Sequence, residues 1–179
     1  MRTLRRNSRN PPDGERARAD IPVMTFRIHP LTLTSFTPLF ALDDAALQAL
    51  GARRMFADTP HSAPCRVSLT DAVQGEALLL VSHRHLDTPG SPYRSEGPVF
   101  VREAATQAVI ATGEVPDMLA RRLLSARAYD ADDMMADADV VEGVDLAERL
   151  ADWFTNPMVT RVQIHTARRG CFMAEARRA

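Results

Sequence analysis

The chain contains no lysine, and all 22 of its basic residues are arginine. That absence excludes every mechanism that depends on an amine, including a Schiff base, a pyridoxal phosphate anchor and a phosphate-loop lysine. Arginine offers instead a rigid fork of donors matched to carboxylates and phosphates, and it cannot serve as a base near neutral pH. The bias runs through the whole chain, so codon usage in a GC-rich genome accounts for it better than selection for anion binding. Glycine is also sparse: none of the eight stands two positions from another, which removes the phosphate-cradling glycine loops of dinucleotide and nucleotide triphosphate sites. G-x-S-x-G, H-E-x-x-H and C-x-x-C are all missing, so a serine elbow and the common zinc motifs go with them.

Cysteine occurs only as Cys65 and Cys171, enough for one bridge at most. No stretch near the start has the apolar core of a secretory signal, and no run reaches the ~18 apolar residues that span a bilayer. A cytoplasmic protein with reduced thiols, away from membranes, is expected. Residues 1 to 22 hold six arginines against Asp13, Glu15 and Asp20, whereas the remainder has 16 arginines against 20 acids. That mildly acidic body does not fit a duplex-binding surface, which shows a basic face or a high pI, so nucleic acid is not an expected partner.

What remains is an ordinary globular composition, 45% apolar and 25% charged over 179 residues, the size of one domain. Residues 1 to 22, with Pro11-Pro12 and few apolar side chains, cannot repay the entropy of ordering. They are expected to be a disordered basic tail or the product of an upstream start codon. Residues 23–179 are expected to form a single α+β domain. Its strands are read at Met24 to Ile28, Arg53 to Asp58, Glu76 to His83, Gly97 to Glu103, Arg127 to Asp130, Met134 to Glu142 and Val159 to Ala167, from alternation or short apolar runs. About three short helices interrupt them. One is capped by Asp43 or Asp44 and stopped by Gly51, one runs from Pro116 to Leu124, and one is capped by Asp145, with Leu146, Leu150 and Trp153 at helical spacing, and ended by Asn156-Pro157. Because strands and helices do not alternate regularly, a mainly antiparallel sheet is favoured over a doubly wound one.

Reactive side chains are densest in His165-Thr166-Ala167-Arg168-Arg169-Gly170-Cys171. Gly170 permits a backbone bend that would set Arg168, Arg169 and Cys171 around one turn. Paired guanidinium groups there suit a carboxylate or phosphate, although consecutive arginines point to different sides and a free cysteine is commonly core. Two further polar knots, Pro64-Cys65-Arg66 and Ser91-Pro92-Tyr93-Arg94-Ser95, fall in turn-rich sequence. If the three converge, Arg66, Tyr93, Arg94, His165, Arg168 and Arg169 would line an anion pocket. Cys171 or Cys65 with His165 could instead form a nucleophile and base, for which hydrogen-bond reach is required. In the strand reading, Arg161, Gln163 and His165 share the face that would line a cleft or meet water. His83 and His85, and likewise Asp137 and Asp139, have the spacing that shares a strand face. Neither pair comes with a third ligand at a recognised spacing, so hydrated faces, no metal and no cofactor are expected.

Pro64-Cys65-Arg66-Val67-Ser68-Leu69, Ser91-Pro92-Tyr93-Arg94, Gly97-Pro98-Val99-Phe100-Val101-Arg102-Glu103 and the His165 to Cys171 block together resemble an uncharacterised bacterial family, domain of unknown function 1203. The resemblance covers about Met24 to Ala179. It implies a small single-domain bacterial protein with no assigned reaction, cofactor or partner, so no catalytic residue carries over. The leading functional expectation is therefore a cytoplasmic pocket for an anionic small molecule. The alternatives are a thiol-dependent enzyme using a Cys/His pair, and a regulatory or assembly protein contacting another chain.

Overall fold

In the computed structural model, which describes residues 25–179, Phe26 and Ile28 alternate with Arg27 and His29 to form β1 (Phe26–His29), apolar side buried and polar side exposed. The tail expected over residues 1 to 22 lies outside the described residues. After β1 come a single turn, α1 (Thr37–Phe40), and α2 (Asp44–Ala49), where Asp43 accepts the Ala46 N–H at 2.8 Å as an N-cap should. Strands β2 (Ala52–Phe56), β3 (Ala77–Leu86) and β4 (Ser95–Arg102) form a three-stranded antiparallel sheet in the order β2-β3-β4. Pro98 thus sits on an edge strand, where a residue without an N–H is tolerated.

The second sheet runs β1-β8-β7-β5-β6 and is antiparallel throughout. Its members are β5 (Leu123–Tyr129), β6 (Met135–Glu142), β7 (Arg161–Thr166) and β8 (Phe172–Arg178). The architecture is α+β with mainly antiparallel sheets. Four short α-helices accompany them among the described residues, including α3 (Asp117–Ala120) and α4 (Leu146–Trp153). No helix among the described residues is long and apolar enough to cross a membrane.

The helix expected from Pro116 to Leu124 stops at Ala120, and Leu123 and Leu124 instead open β5. Pairing decides this. Leu124 lies between Val141 of β6 and Thr166 of β7, so two ladders of hydrogen bonds outweigh one more turn of helix. Strand β8 has no counterpart in the sequence reading, yet it lies between β1 and β7 inside the sheet. Its Ala174 and Ala176 are poor strand formers whose small side chains are fully buried.

One core packs Leu146, Leu150, Phe154, Met118 and Leu119 against Val162 and Ile164 of the five-stranded sheet. A second packs Phe36 and Leu47 against Leu79, Val81, Val99 and Val101 of the three-stranded sheet, and it also takes in Phe172 of β8. On the polar side of β7 only Arg161 keeps partial contact with water, paired with Asp133 and Glu175. Gln163 and His165 are fully buried, at the seam where His85 of β3 stacks on Phe172 with ring centroids 5.0 Å apart. Gln163 satisfies that seam by donating to the His85 carbonyl at 2.7 Å and meeting the His85 Nδ1 at 3.0 Å.

Gly143, just after β6, sets how closely α3 approaches: a Cβ there would lie 2.0 Å from the Leu119 carbonyl oxygen. Backbone offers no flexible side-chain end to move aside. Gly143→Ala is expected to destabilise the fold by about 2–3 kcal/mol, the cost of forced backbone shifts in a packed interior. Denaturant unfolding checks it, and a change below about 0.5 kcal/mol would contradict this packing argument.

Candidate functional site

The β7–β8 connection is a tight turn. Gly170 takes φ +70°, a left-handed conformation that side chains disfavour, and its N–H donates to the Thr166 carbonyl at 2.9 Å. The turn holds Arg168 and Arg169 out in solvent and leaves Cys171 half-buried beneath them. Neither arginine has a carboxylate partner among the described residues.

Arg66 reaches the same place from the segment that follows β2. Residues 64–66 run along the outer edge of β4: Cys65 bridges Phe100, and the Arg66 N–H donates to the Phe100 carbonyl at 3.0 Å. Its guanidinium is only 2% exposed as a residue. Nε donates to the Phe172 carbonyl at 2.8 Å, Nη1 donates to the Pro64 carbonyl, and the group lies 5.9 Å from the Phe100 ring centroid. Burial pushes its pKa down to about 10, so it remains charged at neutral pH, and among the described residues no carboxylate pairs with it.

A third contribution comes from the corner between α3 and β5. Arg122 grips Asp71 with both nitrogens, at 2.5 and 3.2 Å, and donates to the His61 carbonyl at 2.8 Å. His61 has φ +63°, a conformation a bulky residue keeps only when its surroundings impose it. Its Nδ1 lies 3.1 Å from Asp71, and Arg121 lies 3.8 Å from the same carboxylate.

These three parts enclose a cleft of about 650 Å³ lined by Arg66, Arg121, Arg122, Arg168, Arg169, His61 and Cys171, with Asp58 the one carboxylate in its wall. The rest of the lining is largely apolar, from Met55, Phe56, Leu78, Phe100 and Leu123. Excess guanidinium charge in a partly desolvated concavity favours an anion, because the local dielectric screens less than water.

Of the residues anticipated for an anion pocket, the fold brings Arg66, Arg168 and Arg169 together and sends the other three elsewhere. Tyr93 packs edge-on to Tyr129, ring centroids 6.0 Å apart, and Arg94 pairs with Asp87 at 2.7 Å. Tyr129 ends β5, whereas the cleft lies at its start beside Leu123, about 20 Å away at the rise of an extended chain. His165 lies in the seam between sheets, its Nδ1 3.0 Å from the Gly170 carbonyl, which makes that nitrogen the donor. Its Nε2 is buried without a hydrogen-bond partner among the described residues. Burial first, then the Arg127 charge, lowers its pKa to about 3, so the ring is neutral and a weak base. Neither cysteine hydrogen-bonds to it: the Cys171 thiol is 3.9 Å from the Arg169 carbonyl. The fully buried Cys65 sulfur accepts the Ser68 and Arg102 N–H groups at 3.5 and 3.4 Å.

His83 and His85 share a strand face that is not simply hydrated. His83 lies against Phe36 at 5.8 Å between centroids and His85 on Phe172. Burial lowers the pKa of both. Of the acidic pair, Asp137 accepts the Trp153 indole N–H at 2.7 Å and Asp139 pairs with Arg149 at 3.2 Å. Among the described residues, no three His, Cys, Asp or Glu side chains gather as metal ligands.

Sequence reasoning did not single out His61, Asp71, Arg121 or Arg122. Arg121-Arg122 repeats the double arginine of the β7–β8 turn, but a helix continuing to Leu124 would have placed the pair on a solvated face. Nothing local marks Asp71, whose role depends on a partner 51 positions away.

A family model described as a protein of unknown function (DUF1203) matches residues 62–178, a span that contains Arg66, Asp71, the Arg121-Arg122 corner and the β7–β8 turn. No curated protein and no solved structure matches the chain.

Two measurements follow from this geometry. A thiol reagent should label Cys171 in the folded protein and Cys65 only on unfolding; equal protection of both would place Cys171 in the core. For His165, the folded pKa of about 3 lies below the ordinary 6.5, so only the unfolded state takes up a proton between these values. Stability should be fully present above pH 6.5 and fall by about 1.4 kcal/mol per pH unit below it, from this group. Denaturant unfolding from pH 7 to pH 4 should show a smaller slope in His165→Phe than in the parent; equal slopes would show that His165 ionises freely in the fold.

Proposed function

The chain belongs to the DUF1203 family, and from its own geometry we propose that the cleft beside the β7–β8 turn is a binding site for an anionic small molecule. The observation that carries this reading is Arg66: a residue 2% exposed whose guanidinium is charged at neutral pH, has no carboxylate partner among the described residues, and lines a cleft of about 650 Å³. Burying a cation is costly unless it is paired or hydrogen-bonded. Two backbone carbonyls meet part of that cost, and an anion in the cleft meets the rest while also satisfying Arg168 and Arg169. The cleft volume lies within the ~300–1,000 Å³ that small-molecule sites occupy. Free thiols at Cys65 and Cys171 accord with work in a reducing bacterial cytoplasm.

A second reading keeps Cys171 as a nucleophile. It is favoured by the position of that thiol in the cleft wall, and it needs a base other than His165, which donates its Nδ1 proton to Gly170 and has no hydrogen bond to sulfur.

Thermal shifts of the full chain against phosphorylated metabolites, small carboxylates and divalent metals test the first reading. Ligand at ~100 times its dissociation constant adds ~2.7 kcal/mol, roughly 5–11 °C for a chain of this size. The double variant Arg168→Ala with Arg169→Ala alters only exposed side chains, so it should unfold within about 2 °C of the parent and lose the anion-induced shift. An undiminished shift in the folded double variant would dismiss the site, and a flat screen would dismiss the ligand class.

A further inference from the structure

The cleft has two chemically distinct walls, and Arg66 lies where they join. One wall is cationic and comes from the β7–β8 turn and the α3–β5 corner. The other is the face of the three-stranded sheet that carries Met55, Leu78 and Phe100. Met55 is paired with Leu78 across β2 and β3, and Phe100 packs against the same small cluster from β4. At the rim Phe56 is 63% exposed and Leu123 42% exposed. Large apolar side chains left in water beside a concavity are the kind of surface that a ligand covers.

The Arg66 guanidinium touches both walls: it lies 5.9 Å from the Phe100 ring centroid and donates to the Phe172 carbonyl one residue beyond Cys171. A bare inorganic anion seated there would leave the apolar wall wet. The unpaired charges of Arg66, Arg168 and Arg169 exceed what a single carboxylate neutralises, with Arg121 and Arg122 already sharing Asp71.

Resting on the anion reading of the same cleft, we infer that its ligand is an amphipathic dianion. A phosphoryl or dicarboxylate head sits at Arg66, Arg168 and Arg169, and a planar or apolar body lies across Met55 and Phe100 towards Leu123 at the rim. The arginines set charge and orientation, while the sheet face selects against small inorganic ions.

Calorimetric titration of the full chain at one ionic strength, with two matched pairs of probes, tests this. Inorganic phosphate is compared with phenyl phosphate, and succinate with phthalate, with phenol as the uncharged control. In at least one pair the aryl dianion should bind at least tenfold more tightly, and the pair that responds identifies the head group. Leu123→Ala, a change at an exposed side chain of the rim, should lower that ratio several-fold and leave the affinity for the small anion unchanged. Equal affinities within both pairs, or a ratio untouched by Leu123→Ala and by Met55→Ala, would overturn the amphipathic ligand and leave the anion site standing. Binding of phenol as tight as that of phenyl phosphate, or no binding of any anion, would overturn both.

Discussion

A guanidinium taken out of water has to be answered by acceptors, and the way Arg66 is answered organises this molecule. Its donors reach the carbonyls of Pro64 and Phe172. These belong to the segment lining the edge of one sheet and to β8, an interior strand of the other. The hydrogen bonds therefore join the two sheets at the point where the cleft opens. Removing the side chain would leave the Phe172 carbonyl without its donor, and removing the carbonyls would leave a buried charge unanswered, so each needs the other. The same arrangement leaves the charge without a carboxylate, which gives the cleft its sign.

The seam behind Arg66 has a different character. His85, Gln163, His165 and Phe172 meet there as stacked and hydrogen-bonded groups, with both histidines held towards the neutral form by burial. Polar residues in such a place specify how two sheets dock, because each hydrogen bond is made only in one register. The orphaned Nε2 of His165 is a cost paid within that docking. The seam and the cleft share Phe172 and the β7–β8 turn, so a disturbance of the docking is felt where the arginines stand.

Much of the framework was legible locally. Alternation placed β1, a run of leucines placed β3, the Asp43-Asp44 pair and the Leu146-Leu150-Trp153 spacing placed α2 and α4, and Gly170 marked the turn that presents Arg168 and Arg169. Propensity misled where pairing overrode it. The alanines of β8 gave no strand signal although the strand is paired on both sides, and Leu123-Leu124 look helical until β6 and β7 flank them. The alternation of β7 was read correctly, but its polar side was assigned to a cleft or to water because nothing in the sequence shows that a second sheet covers it.

For the site, side-chain chemistry belongs to the sequence and proximity does not. The absence of lysine and of glycine loops, the anion-binding character of double arginines and the flexibility of Gly170 are properties of the residues themselves, fixed before folding. Which arginines would meet was settled only by long-range contacts. Arg66 is tied to a residue 106 positions away and Arg122 to one 51 positions away, while Tyr93 and Arg94 went to the far end of β5. Local chemistry depends on each residue and its near neighbours; convergence depends on the strand order β1-β8-β7-β5-β6 and on how two sheets dock, which only the packed core determines.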